Sequence, residues 1–411
     1  MRFVAGLIGP ARRVAVAEPG TVRYLCGVQD TRWGKTIIRA AMLIEDGLQV
    51  VLVALLRLRG RHHPTIVPFL GHGSPHRIRV SARVMLGRRE ADAPAVAVPG
   101  APEPTARSRR AVLRASLARF LTVEVRGAHV TVTVNGVATQ LRADREGHLD
   151  VELDVAGLAP GWHEVGMALP DGTTVSAQVM VVDPQARVGL VSDVDDTILE
   201  TGISRGLALL RATLLTEVHD RSPLPGAAAL YQAFAERPGE PQRPVFYVST
   251  SPWNLHEMLL EFISLRRFPL GPLQLTDWGP SADGLLRISA TAHKTGLVRR
   301  MLEDHPQLRL VLIGDSGQHD PEIYAALAKA HPDRIAAVYI RRTAMPRAGR
   351  VAEVDELAAE VTAAGVPMLA VNDSVEIAAH AVALGLLDAA ALPAVRDGVR
   401  AGHRQGVWAA R

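Results

Sequence analysis

Residues 188–200 read Val-Gly-Leu-Val-Ser-Asp-Val-Asp-Asp-Thr-Ile-Leu-Glu, and the rest of the chain can be organised around this stretch. Its first part, residues 188–191, is a short apolar run typical of a strand buried on both faces. Three carboxylates, Asp193, Asp195 and Asp196, follow where that strand is expected to end. Crowded carboxylates at a buried strand end repel one another and favour a compensating cation or reacting group. The pattern therefore predicts a divalent-metal or catalytic site.

The same residues admit a second interpretation that involves no chemistry. Asp196 and Thr197 are residue types that begin helices, because their side-chain oxygens accept backbone N–H bonds. On this interpretation the stretch is an Asp-rich turn that caps the following helix. Both interpretations stay open at this point.

Length and composition are those of a globular protein with more than one domain. The chain has 411 residues, which predicts two or three domains, and 48% of them are hydrophobic against 21% charged. A single cysteine, Cys26, excludes a disulfide framework, a cysteine metal site and a CxxC redox motif.

The N-terminal part of the chain contains apolar stretches that could be mistaken for membrane signals. The apolar run within residues 1–13 is too short for a secretory signal. The longer stretch 36–58 is interrupted by Arg39, Glu45 and Asp46, which argues against a membrane span. The sequence therefore predicts a cytoplasmic protein without a transmembrane segment.

Charge is distributed unevenly along the chain. Residues 1–120 hold 20 Lys+Arg against 7 Asp+Glu, whereas the remainder holds 26 against 35. The basic N-terminal region, residues 1–120, predicts an anionic partner. An aromatic content of 4% disfavours nucleic acid as that partner, because nucleic-acid-binding modules interleave aromatic and basic residues. We therefore expect an anionic membrane surface, with the protein peripheral on the inner face of the membrane. A solvated arginine-rich face is the alternative, and the oligomeric state stays open.

Residues 61–186 have the pattern of an antiparallel β-sandwich domain, which follows a partly helical segment over residues 1–60. Two-residue turns are expected at Asn135-Gly136 and Asp171-Gly172. An Ala/Pro-rich loop covers residues 91–104. The expected strands are 130–134, 137–141, 149–155, 162–169 and 174–182, with two more between residues 65 and 86.

From residue 187 to about 400, strands alternate with helices, which predicts a doubly wound parallel sheet. The strands are expected at 188–191, 244–249, 308–313, 335–339 and 366–371. The helices are expected at 206–218, 224–235, 255–265, 294–303 and 321–330.

Polar residues in and between these strands follow a fixed order along the chain. They are the pair Asp193 and Asp195, the run Ser249-Thr250-Ser251, then Lys294, and finally Gly314-Asp315 with Asp320. In an open α/β sheet, ligands bind beyond the carboxyl ends of the strands, so these side chains are expected together. The four-part order resembles the haloacid-dehalogenase-like phosphatases.

This resemblance implies a role for each position. Asp193 would be the nucleophile that forms an aspartyl-phosphate, and Asp195 would protonate the leaving alkoxide and then deprotonate water. Ser249 would bind the transferring phosphoryl group, with Thr250 as the alternative, and Lys294 would pair with nucleophile and phosphate. Substrate binding is assigned to Thr197 and Thr250.

The implied cofactor is Mg²⁺, which suits a site of carboxylate oxygens that keeps some waters. Its ligands would be the carboxylates of Asp193 and Asp315 and the backbone carbonyl of Asp195. Asp320 would bind through water or would orient Lys294.

A narrower resemblance covers residues 188–342. Its pieces are the Asp-Val-Asp-Asp-Thr-Ile opening, residues 246–254 and 268–273, His293-Lys294, and the run from Gly314 to Tyr324. Together they look like the actin-patch-associated phosphatidate phosphatase family, which is related to the lipins. The resemblance implies Mg²⁺-dependent hydrolysis of phosphatidate, a phospholipid substrate, to diacylglycerol. His72 departs from the β-region of bacterial members, where an aromatic residue is expected.

Two further classes of protein share fragments of this pattern. A serine protease would match Gly314 to Gly317 and His293, but its two barrels do not fit into the 23 positions from His293 to Ser316. A phosphatidate-binding module without turnover typically lacks part of the acidic pair that Asp193 and Asp195 supply. A phosphatase for another phosphomonoester is the remaining alternative.

The connections after residues 199 and 253 are too short for a folded lid domain, so no large cap is expected. An open site suits large or surface-bound substrates. Trp253 and Trp278 lie in loops on the expected active face, either as interfacial anchors or as packed loop residues.

Overall fold

The computed structural model describes residues 62–88, 123–199, 223–276, 290–343 and 346–404, all of which lie in one compact unit. The expectations for the segment 1–60, the loop 91–104, the helix 206–218 and Trp278 fall outside these residues.

The carboxyl-terminal half contains a six-stranded sheet in which every pairing is parallel. The strands are β10 (Val188–Asp193), β11 (Val245–Pro252), β12 (Leu273–Thr276), β13 (Arg309–Asp315), β14 (Ile335–Arg341) and β15 (Met368–Val371). Their order in the sheet is β12-β11-β10-β13-β14-β15. Five of them match the predicted strands. The edge strand β12 was not predicted, because it directly follows Gly271 and Pro272, which are residue types typical of a turn or loop.

Helices cover both faces of this sheet. They are α1 (Ala227–Ala235), α2 (His256–Leu265), α3 (Ala290–Asp304), α4 (Asp320–Ala330), α5 (Arg350–Ala363), α6 (Ser374–Ala383) and α7 (Leu392–Arg404). One face, which includes Leu190, packs against α1, α2, α6 and α7. The other, which includes Val191, packs against α3, α4 and α5. Successive residues of β10 thus point into different apolar layers, as expected for a strand with two buried faces.

The preceding part of the chain forms a nine-stranded mixed sheet. Its strands are β1 (His62–Pro68), β2 (Gly71–Ser74), β3 (Arg77–Arg88), β4 (Val123–Glu124), β5 (His129–Val134), β6 (Val137–Arg142), β7 (His148–Asp154), β8 (Gly161–Ala168) and β9 (Thr174–Val181). Their order is β1-β3-β2-β9-β8-β5-β6, and β4 and β7 also pair with β3. The expectation of a purely antiparallel domain was wrong, because β2 and β9 pair in parallel. They are far apart in sequence, so no hairpin imposes an antiparallel direction on them.

One of the two predicted hairpin turns has the expected geometry. Asn135 and Gly136 join β5 to β6 with positive φ angles of 48° and 80°, as a two-residue hairpin turn requires. Asp171-Gly172 instead lies within a five-residue connection, residues 169–173, in which the Gly172 N–H donates to the Leu169 carbonyl. Pro170 lacks an N–H and cannot extend the ladder there.

The mixed sheet packs against the parallel-sheet layer through side chains of β2 and β3. His72 is buried, and its Nδ1 lies 3.0 Å from His305 Nε2 beyond the end of α3. Arg79 Nε lies 3.4 Å from Asp304 Oδ2. His72 thus fills a contact between the mixed sheet and the parallel-sheet layer. Among the helices that the structure describes, none is both long and apolar enough to cross a membrane.

Candidate active site

The strand β10 delivers Asp193 to the carboxyl edge of the parallel sheet, where its side chain is buried. One carboxylate oxygen, Oδ1, accepts a hydrogen bond from Lys294 Nζ at 2.7 Å. The preceding Ser192 faces the opposite layer, with its hydroxyl 2.6 Å from that of Tyr231. The alternation of the strand therefore directs Asp193 towards α3, which carries Lys294.

Lys294 bridges two buried carboxylates. Its Nζ donates to Asp193 Oδ1 and, at 2.5 Å, to Asp320 Oδ1 at the start of α4. Burial lowers the pKa of Lys294, but attraction to Asp193 and Asp320 outweighs it and leaves the pKa well above its ordinary value. Lys294 therefore carries a fixed positive charge between the two acids.

Asp315 ends β13 and lies beside this pair. Its Oδ1 accepts bonds from the backbone N–H groups of Gly317 at 2.6 Å and Gln318 at 3.0 Å. Burial, followed by repulsion from Asp320, raises the pKa of Asp315 to about 8. Gly314 is required by this packing, since a Cβ there would lie 2.4 Å from Asp320 Oδ2.

Asp193, Asp315 and Asp320 form a cluster that fits a divalent cation. Each offers an oxygen, and these oxygens lie within 4.8 Å of one another. Two buried oxygens, Asp193 Oδ2 and Asp315 Oδ2, have no hydrogen-bond partner within the described ranges. Three carboxylates face one ammonium, and burial together with their mutual repulsion raises the pKa of Asp193. A hard cation that prefers oxygen ligands would relieve this excess of negative charge.

The Asp195 carboxylate lies outside this cluster and is held by two hydroxyl groups of β11. Ser249 Oγ and Ser251 Oγ each donate to Asp195 Oδ2 at 2.9 Å. Burial raises the pKa of Asp195, and the two hydroxyl bonds oppose that rise. Ser249 is therefore near the acid, while Thr250, between the two serines, is half-buried.

Ser251 was not predicted as a site residue. The only signal in the sequence was its position two residues after Ser249, which places both hydroxyls on one side of a strand.

Thr197 is buried, and its hydroxyl has no hydrogen-bond partner among the described residues. The side chain therefore makes no cap bond to any residue that the structure describes. Asp196 adopts a positive φ of 55°, and its backbone N–H donates to the Leu199 carbonyl, so the chain turns sharply directly after Asp195. Within this turn the Thr197 backbone N–H donates to the Val194 carbonyl at 3.4 Å.

Residues 188–342 match the model of the family described as phosphatidate phosphatase APP1, catalytic domain. Residues 188–342 belong to this family. The segment contains every site residue that the sequence predicted, from Asp193 to Asp320.

Two curated relatives cover the same region. The phosphatidate phosphatase APP1 of Saccharomyces cerevisiae is 31% identical over 155 residues, which is 38% of this chain and 26% of that protein. An uncharacterized protein of Schizosaccharomyces pombe is 27% identical over 168 residues, which is 40% of this chain and 26% of that protein. The chain thus spans about a quarter of the length of the curated relatives it matches.

A carbohydrate acetylesterase from Xanthomonas citri is among the solved structures with some likeness to the chain. It is 12% identical, covers 83% of this chain and 75% of its own, and has a TM-score of 0.29. A score of this size does not indicate a shared fold.

Arg350 supports the site of the APP1-family segment from outside that segment. This buried arginine at the start of α5 donates from Nε to the Ser316 carbonyl and from Nη2 to the Gln318 carbonyl, both at 2.8 Å. It also pairs with Glu322 of α4 through both Nη atoms. The loop that supplies the N–H bonds to Asp315 is therefore held from its other side. No motif or spacing in the sequence indicated this role.

Trp253, within the same family segment, is packed rather than exposed. Its ring stacks on Phe69 of the mixed sheet with centroids 4.3 Å apart, and 8% of the residue is exposed. Of the two roles considered for this tryptophan, packing is the one that the structure shows, and Trp253 is not an interfacial anchor.

Proposed function

We propose that the chain is a Mg²⁺-dependent phosphatidate phosphatase that works through an aspartyl-phosphate. The observation that carries the proposal is the buried Asp193–Lys294–Asp320 arrangement beside Asp315, within a segment of the APP1 catalytic-domain family. A phosphomonoester is anionic and resists nucleophiles, so attack by a carboxylate requires positive charge at the phosphoryl oxygens.

In the proposed reaction an Asp193 oxygen attacks phosphorus, and the bond from phosphorus to the substrate alkoxide breaks. Asp195 gives its proton to that alkoxide, which suits a buried carboxyl group with a raised pKa. Asp195 then takes a proton from water as the water oxygen attacks phosphorus and the bond to Asp193 breaks, which releases phosphate. Ser249 or Thr250 would hydrogen-bond the phosphoryl oxygens, Thr197 would contact substrate, and Lys294 would neutralise charge.

Mg²⁺ would be held by Asp193 and Asp315 with the backbone carbonyl of Asp195, and it would neutralise charge on the phosphoryl group. Asp320, whose carboxylate already bonds Lys294 and the Asp315 N–H, would orient the lysine or bind the metal through water. Asp193 Oδ2 and Asp315 Oδ2, which have no hydrogen-bond partner among the residues that the structure describes, support this assignment.

The proposed architecture is a haloacid-dehalogenase-like, doubly wound domain over residues 187–400, preceded by a β-sandwich domain over 61–186. The helices on both faces of the parallel sheet support the first part. The intervals 200–222 and 277–289 are each shorter than a domain that folds alone, which supports a site without a large cap. An open site permits approach to phosphatidate in a membrane, so the proposed location is cytoplasmic and peripheral on the inner face.

Phosphate release by the purified chain tests the proposal. We expect phosphatidate in mixed micelles to be cleaved with a much higher kcat/KM than glycerol phosphate or a sugar phosphate, because acyl-chain contacts add binding energy. Activity should require Mg²⁺, and Asp193→Asn should abolish it because an amide does not attack phosphorus, while the exposed control Asp333→Asn should not.

Three outcomes would contradict the proposal in different ways. If kcat/KM were as high for a sugar phosphate as for phosphatidate, the chain would be a general phosphatase without preference for lipid. Binding of phosphatidate without phosphate release would indicate a binding module. If Asp193→Asn turned over substrate at the wild-type rate, Asp193 would not be the nucleophile.

A further inference from the structure

The segment 249–251 of β11 lies outside the regular ladder of the parallel sheet. Val248 pairs with Gln274 of β12, but the next paired residue is Pro252, opposite Thr276. Between these two pairs, three residues of β11 lie opposite a single residue of β12, which makes the segment 249–251 a bulge. Because Ser249 and Ser251 both bond Asp195, the shape of the bulge fixes two contacts of the proposed general acid.

The chain directly after the bulge is fastened to the mixed sheet by aromatic rings. Phe69, which follows β1, lies with its ring centroid 4.3 Å from that of Trp253 and 4.3 Å from that of His256. The ring centroid of His148, in β7, lies 5.0 Å from that of Trp253. Phe69, Trp253 and His256 are all buried, so this contact is part of the core between the two sheets.

Arg83 of β3 provides a directed bond at the same place. Its Nη1 donates to Asn254 Oδ1 at 3.0 Å, while Nη2 pairs with Glu124 at 2.9 Å and Nε reaches the Glu146 carbonyl at 3.3 Å. The guanidinium is buried, and Glu124 balances its charge. Arg83 therefore has a fixed position from which it holds Asn254.

We propose that Phe69 and Arg83 of the mixed sheet are positioning residues for the active site. They would act through Trp253 and Asn254 to hold the bulge that carries Ser249 and Ser251. Three positions separate Ser251 from Asn254, at most about 10 Å of extended chain, so a shift at Asn254 reaches the serines directly. The proposal rests on the proposed phosphatase function, in which Asp195 exchanges protons with substrate and water.

Arg79 supplies a matched control on the same strand. It lies four residues before Arg83 on the same face of β3 and also bridges to the parallel-sheet layer, through Asp304 of α3. Its contacts are with Asp150, Glu152 and Asp304, none of which adjoins the bulge. Loss of Arg79 therefore weakens the contact between the sheets without releasing Asn254.

The test compares phosphate release by Arg83→Gln and Arg79→Gln. We expect Arg83→Gln to lower kcat by about 10- to 100-fold with KM changed by less than about 3-fold, because small misplacements of catalytic groups cost rates of this order. Arg83→Lys keeps a donor towards Asn254 and should recover part of the loss. Arg79→Gln should keep kcat within about 2-fold. An equal loss of kcat in Arg79→Gln would overturn the proposal.

Hydrogen exchange of the backbone amides of residues 249–255 gives a readout that does not depend on turnover. Arg83→Gln should raise exchange there, and Arg79→Gln should not. If Arg83→Gln does not fold, Asn254→Ala removes the same bond from the other side and should give the same two results. Unchanged kcat and exchange in these variants would overturn the proposal. A wild-type chain that releases no phosphate would contradict the proposed function, and exchange would still decide whether the mixed sheet holds the bulge.

Discussion

The Lys294 ammonium lies 2.7 Å from the Asp193 carboxylate, with only 2% and 1% of the two side chains exposed. Such a pair is costly to form, because both charges leave water, and it is more costly to break, because the remaining charge stays buried. Here the same ammonium also bonds Asp320. The charge balance of the site and the stability of the fold therefore depend on one side chain.

Replacing Lys294 with alanine should destabilise the fold as well as stop turnover. Two buried carboxylates would lose their counter-charge, and we expect a loss of about 3–5 kcal/mol in the free energy of unfolding, measured in urea without divalent cations. Lys329→Ala is the control, since Lys329 and Glu360 form an exposed pair at 2.7 Å. That variant should lose about 1 kcal/mol or less. If both variants lost the same free energy of unfolding, the buried pair would contribute no more to stability than the exposed pair.

Arg350 should influence metal binding without touching the metal. Arg350→Gln would free the Ser316 and Gln318 carbonyls and loosen the N–H groups that orient Asp315. Outer contacts of this kind typically change metal affinity by about 10- to 100-fold, so Mn²⁺ binding followed by electron paramagnetic resonance should weaken to that degree.

Arg400 provides the control for Arg350. Its guanidinium pairs with Asp397 within α7 at 3.6 Å, and both side chains are exposed, so Arg400→Gln should leave Mn²⁺ affinity unchanged. An Arg350→Gln protein that binds Mn²⁺ as tightly as the wild type would show that the loop does not need this support.

Buried neutral histidines should make the fold sensitive to acid. Burial, followed by repulsion from His148, lowers the pKa of His256 from 6.5 to about 3. Between these two pH values the unfolded chain binds a proton at His256 that the folded chain does not. The free energy of unfolding therefore has its full value above pH 6.5 and falls as the pH drops towards 3. At pH 5 the loss from this residue is roughly 2 kcal/mol.

His256→Phe removes that titration and keeps an aromatic ring beside Phe69 and Trp253. Urea unfolding at pH 7.5 and pH 5.0 should show a smaller difference for this variant than for the wild type. His129→Gln, at an exposed position of β5, should behave like the wild type. An unchanged pH dependence in His256→Phe would mean that His256 takes up its proton in the folded state.

The basic N-terminal region should make membrane binding sensitive to salt. If residues 1–120 hold the protein on anionic lipid, binding to vesicles should weaken steeply as the Debye length falls from ~30 to ~8 Å. Neutral vesicles are the control. Equal binding to neutral and anionic vesicles would favour a solvated arginine-rich face.

The pattern of apolar residues along the sequence determined which strands end in aspartates. The apolar run before Asp193 and the run before Asp315 identify buried strands, and buried parallel strands end at one edge of a sheet. The order of the acids, hydroxyls and lysine then indicated which side chains would meet there. The structure brings Asp193, Lys294, Asp315 and Asp320 into contact at that edge.

Tertiary structure decided which side chains hold these groups in place. Arg350 reaches Gln318 across 32 positions, and Arg83 reaches Asn254 across 171. The interruption of the β11–β12 ladder after Val248 and the parallel pairing of β2 with β9 likewise involve strands that are separate along the chain. Periodicity and spacing describe neighbours within one helix or strand, so contacts between distant elements arise only when the sheets and helices pack.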